Sequence, residues 1–86
     1  MPQKERLDMM FPNEKIVESV RAEYPEGTRV KLVKMDDVQA PAPGTTGTVK
    51  FVDDTATVHI AWDTGSSLGA VYGEDIIVPI RENGQN

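Results

Sequence analysis

One histidine, His59, and three adjacent acidic pairs are the residues with which this chain could do chemistry; it has no cysteine. A catalytic histidine needs a hydroxyl or thiol nucleophile within hydrogen-bond reach. Ser66 and Ser67 follow the turn signal Asp63-Thr64-Gly65 and do not lie on a strand-to-helix elbow. Their expected work is hydrogen bonding within a turn. His59 alternates with Thr57 and Ala61, which sets it on the strand face opposite Trp62, where it reads as a hydrogen-bonded rim residue. The acidic pairs are Asp36/Asp37, Asp53/Asp54 and Glu74/Asp75, with Asp63 single. Carboxylates gathered at one end of a fold can hold a divalent cation. The D-x-D-x-D-G spacing of a calcium loop is absent, and aspartate suits turns for its own backbone bonds. A non-catalytic domain without metal or cofactor is expected.

Recognition chemistry is better represented. Trp62 shares a strand face with Val58 and Ile60, so core packing is its first reading. Its second reading is an aromatic floor beside the acidic loops. Met35, Asp36, Asp37, Trp62, Asp63 and Tyr72 would then form a partner-binding surface. An acidic rim around aromatic and methionine side chains favours a basic or proline-containing peptide. The competing surface is basic: Arg29, Lys31, Lys34 and Lys50 as a nucleic-acid-binding patch. Charge weighs against it. Residues 1–34 hold seven basic and six acidic side chains, whereas residues 35–86 hold two and eight, within a net charge of −5. An acidic β-region repels a phosphate backbone at long range.

The elements that must position these residues are short. Asn13 is expected to cap a helix running to about Glu23, with Ile16, Val17, Val20 and Tyr24 on one face. Glu18 and Arg21 are spaced to pair, and Pro25 and Gly27 end the helix. A helix of this length is marginal alone, so its apolar face must dock, on its own domain or on another chain. Five strands follow: Thr28–Met35, Gly47–Asp53, Ala56–Trp62, Ser67–Tyr72 and Asp75–Ile80. Val33 and Met35 interrupt the alternation of Val30 and Leu32, which predicts a bulge. Val49 and Phe51 are expected to face the same way. Residues 1–12 read as a flexible segment, 13–24 as the helix, 25–80 as the β-domain and 81–86 as a disordered tail. No apolar run approaches membrane-spanning length. The expected setting is the cytoplasm, without a membrane anchor, as a monomer or weak homodimer. Five strands in so few residues suggest a small barrel rather than a two-sheet sandwich.

Two stretches carry a resemblance. Gly27-Thr28-Arg29-Val30-Lys31-Leu32 and Gly44-Thr45-Thr46-Gly47-Thr48-Val49 resemble the paired strands of KOW-type SH3-like barrels. More specifically, Met35-Asp36-Asp37, the Ala40-Pro41 to Gly44 loop, and Trp62-Asp63 with Gly65-Ser66-Ser67-Leu68 resemble domain-of-unknown-function family 4314, over about Tyr24 to Asp75. The hairpin Asp53-Asp54-Thr55-Ala56 lacks the glycine expected there. The resemblance implies one compact β-domain in bacterial and phage-related settings; with the helix read from its periodicity, the expected fold is mainly β, a small five-stranded SH3-like β-barrel with an N-terminal α-helix. It implies no activity, which leaves a protein-interaction (adaptor) module as the expectation and a KOW-like nucleic-acid-binding domain as the alternative.

Overall fold

The computed structural model describes residues 13–80. The expectations for residues 1–12 and 81–86 lie outside the described residues. Helix α1 spans Glu14–Glu23. The Asn13 side chain accepts a hydrogen bond from the Ile16 amide at 3.0 Å, satisfying one orphan donor of the first turn. Glu14 sits in the first turn and Arg21 in the last, as the helix dipole favours. Val17 and Val20 are buried in the core of this same domain. Arg21 does not take the expected partner Glu18. It reaches over the adjacent hairpin, donating from Nη2 to Asp54 at 2.9 Å and from Nε to the Val52 carbonyl at 3.1 Å. A partner across the hairpin fixes the helix to the sheet, which a pair within the helix cannot do.

The β-region is one five-stranded antiparallel sheet: β1 Arg29–Lys34, β2 Thr46–Val52, β3 Thr57–Trp62, β4 Ala70–Val71 and β5 Ile76–Pro79, in the order β4-β3-β2-β1-β5. The first and last strands are neighbours, with Leu32 opposite Ile77. The inward rows are Val30 and Leu32 on β1, Val49 on β2, Val58, Ile60 and Trp62 on β3, and Ala70 on β4. Each fully buried aliphatic side chain contributes about 1.5–3 kcal/mol. Among the described residues no helix is long and apolar enough to cross a membrane.

Two register shifts decide where side chains point. One falls between Leu32 and Lys34, the bulge that Val33 predicts. The other falls between Val49 and Phe51, and here the expectation fails. The extra residue, Lys50, reverses the alternation, so Phe51 faces outward and is 53% exposed while Val49 is buried. The fourth strand is also shorter than Ser67–Tyr72, with ladder pairing confined to Ala70 and Val71. The residues before it are used otherwise: Leu68 offers its carbonyl to the Trp62 indole and Ser66 offers its carbonyl to the Trp62 amide. At the β2–β3 hairpin, Ala56 has φ 61°, the left-handed conformation for which a glycine was expected. Its methyl is fully buried, so packing offsets the backbone cost.

Candidate functional site

The six residues expected to bind a partner do not form one surface. Trp62 is 3% exposed and packs in the core, with Nε1 donating to the Leu68 carbonyl at 2.8 Å. Asp63 is held by Arg29, whose Nη1 and Nη2 donate to its two oxygens at 3.0 and 2.7 Å, and by the Thr46 hydroxyl at 2.6 Å. Tyr72 is 54% exposed beside the β4–β5 turn. Met35, Asp36 and Asp37 do come together, along a groove of about 420 Å³. Its other walls come from distant parts of the chain: His59 on β3, Leu68 before β4, and Glu74 and Asp75 before β5. The pairing of β1 with β5 brings Lys34 opposite Ile76 and so sets Met35 near the acidic turn.

The carboxylates are not equally free. Asp75 accepts from the Val71 amide at 2.8 Å, and Asp37 accepts from the Gln39 amide at 2.8 Å. Asp36 lies 3.9 Å from the Lys34 ammonium, with both side chains largely exposed. Lys31 and Lys50 are exposed on β1 and β2, whereas Arg29 is committed to Asp63 and the threonines beside it. The basic patch is thereby divided.

His59 is anchored on two sides. Its Nε2 lies 2.8 Å from Asp53 Oδ2, and its ring stacks on Phe51 with centroids 4.3 Å apart and planes 11° apart. Asp53 is also the hub of its hairpin, accepting from the Thr55 hydroxyl at 2.6 Å, the Thr55 amide at 2.9 Å and the Thr57 amide at 3.1 Å. Burial pushes its pKa up, but the hydrogen bonds from Thr55, His59 and the two amides outweigh that and hold it well below the carboxylate range. The Arg29 and Thr46 bonds lower Asp63 to about 2. Among the described residues no cluster of three or more His, Asp or Glu side chains could hold a metal ion.

A family model described as "Domain of unknown function (DUF4314)" matches residues 13–80. The chain belongs to the DUF4314 family. The match takes in helix α1 as well as the sheet, so the DUF4314 unit is the helix and strands together. No curated protein and no solved structure matches the chain.

The binding surface expected from the sequence leaves out His59, Leu68, Glu74 and Asp75, which line the DUF4314 groove, and Phe51 and Asp53, which brace His59. The Asp53–His59 pair was within reach, because a four-residue hairpin loop at 53–56 brings the strand ends together. Glu74 carries no local signal, since the pairing of β1 with β5 brings it to Met35, and Leu68 is placed by its carbonyl bond to the Trp62 indole rather than by a strand.

The two lowered carboxylates predict the acid response. A carboxylate whose folded pKa is lowered stabilises the fold above the unfolded value near ~3.9, and that stabilisation is lost as pH falls through the folded value. For Asp63 the loss runs from about pH 4 down to about 2. The thermal midpoint of the domain should therefore fall between about pH 5 and pH 2, and fall less in Asp63→Asn than in the wild type. Parallel curves for the two proteins, followed by circular dichroism, would contradict this.

Proposed function

We propose that this DUF4314 domain is a small non-catalytic protein-interaction module whose acidic groove takes a basic segment of a partner protein. One observation carries the reading: Asp36 and Asp37 from the β1–β2 loop and Glu74 from the β4–β5 turn line a single groove with Met35 and Leu68. Apolar side chains between carboxylates suit the aliphatic stems and cationic heads of lysine or arginine. The floor in this reading is Leu68 and Met35, with Trp62 supporting it from beneath through the Leu68 carbonyl. A nucleic-acid reading has less support, because Arg29 is bonded to Asp63 and Lys34 lies near Asp36.

The reading includes closure of the sheet as an SH3-like barrel. The meander with its last strand beside its first supports it. So does the apolar crevice of about 140 Å³ bordered by Ala70 and Val71 on one side, Ile76 and Ile77 on the other, and Val20 and Tyr24 of the helix. A cytoplasmic, bacterial or phage-associated setting belongs to the same proposal; the bacterial or phage part rests on the family resemblance and the compartment on a sequence without cysteine.

An amide NMR titration of the labelled chain with a lysine- and arginine-rich peptide at low salt tests the groove. Shifts should gather at Met35, Asp36, His59, Leu68 and Glu74, fade as salt rises, and vanish in a folded Asp36→Asn/Asp37→Asn/Glu74→Gln variant. A spectrum that does not move, or moves equally in the variant, would rule the groove out.

A further inference from the structure

We infer that the groove discriminates arginine from lysine, with the His59 ring as the stacking wall; the inference rests on the groove reading above and adds the chemistry of its ligand. Three observations carry it. His59 lines the groove and its side chain is 34% exposed. The ring is fixed before any ligand arrives, by the 2.8 Å bond to Asp53 on one nitrogen and by Phe51 stacked at 4.3 Å. Finally, carboxylates line the same groove, where Asp36 and Glu74 are exposed.

A flat, braced ring beside carboxylates suits a planar cation better than a spherical one. A guanidinium lies against an aromatic face while its N–H fork engages a carboxylate, whereas an ammonium is a compact, strongly hydrated point charge. Because the hairpin already holds the ring, the ligand does not bear the cost of ordering it. The Lys50 bulge matters here, since it is what turns Phe51 outward to brace the ring. The nearby Lys34–Asp36 contact, at 3.9 Å between exposed groups, is weak enough for an incoming cation to displace.

The test uses the full chain and two peptides that differ only in carrying three arginines or three lysines between glycines. Both peptides are titrated at the same pH and the same low salt concentration. The arginine peptide should bind about two- to fivefold more tightly, with the His59 and Leu68 amides among those that move. His59→Ala should bring the arginine peptide to the affinity of the lysine peptide, and His59→Phe, which keeps a ring there, should retain the preference. Equal affinities with shifts in the groove would overturn the arginine inference and leave the groove reading standing. A preference that survives His59→Ala would overturn it too. Failure of both peptides to bind would overturn both readings.

Discussion

Trp62→Ala is expected to be the most destabilising single truncation in the domain. The side chain is 3% exposed and sits at the end of the inward row Val58, Ile60, Trp62. Truncating a buried tryptophan costs about 3–5 kcal/mol through lost transfer energy and the cavity left behind. A second loss adds to it, because the Leu68 carbonyl gives up its 2.8 Å donor. Domains hold roughly 0.05–0.15 kcal/mol per residue of net stability, about 4–13 kcal/mol for a chain of 86 residues, so one such substitution removes a large share of it. Trp62→Phe separates the two contributions: the ring stays, the donor goes, and a smaller loss of about 1–3 kcal/mol is expected. Urea unfolding followed by far-ultraviolet circular dichroism measures both, since the chain has no second tryptophan to report by fluorescence. A Trp62→Ala midpoint close to the wild type would show that the indole is not a core member. The ordering matters for any binding test. A Trp62 variant that fails to bind would report unfolding, so the groove must be probed through Asp36, Asp37, Glu74 and His59.

Gly47→Ala should be the costliest single-methyl addition in the same layer. Gly47 lies opposite Trp62 in the β2–β3 ladder. A Cβ built there would come 2.7 Å from Ile60 Cγ2, 2.9 Å from Trp62 Cε3 and 3.0 Å from the Ala61 carbonyl oxygen. Two neighbours are core side chains and the third is backbone, so none can swing aside into solvent. Overpacking of this kind costs about 1–3 kcal/mol. Gly47→Val extends the clash and should unfold the domain. The two sites touch, so their effects should not add: Gly47→Ala in the Trp62→Phe background should cost less than in the wild type, because the smaller ring leaves room. Full additivity in a denaturation cycle, or a neutral Gly47→Ala, would mean that the strands part without cost.

Much of the architecture was legible in the residues. The 3.6-residue recurrence of Ile16, Val17, Val20 and Tyr24, with Asn13 before it, marked the helix and its buried face. Period-two alternation marked the cores of β1 and β3. The errors have two separate causes. Alternation assigns a face only while no residue is inserted, and Lys50 is inserted without any glycine or proline to announce it. Phe51 therefore read as facing the same way as Val49 when it braces His59 from outside. The fourth strand read too long because Leu68 looks like a strand residue, while its carbonyl is spent on the Trp62 indole. The groove was half legible. Met35, Asp36 and Asp37 are adjacent in sequence, but Glu74 arrives through the pairing of β1 with β5 and Leu68 through its carbonyl bond to Trp62 on β3.

That pairing also has a consequence for the order of events in folding. The β2–β3 hairpin closes over a few residues and can form within microseconds. The β1–β5 ladder must bring Leu32 to Ile77 across more than half of the chain, and its closure entropy is met before its contacts reward it. The groove has one wall on each side of that last closure, so it exists only once the chain has finished folding. A partially folded chain would carry the same carboxylates with nothing to hold them together, and recognition would then report a completed fold.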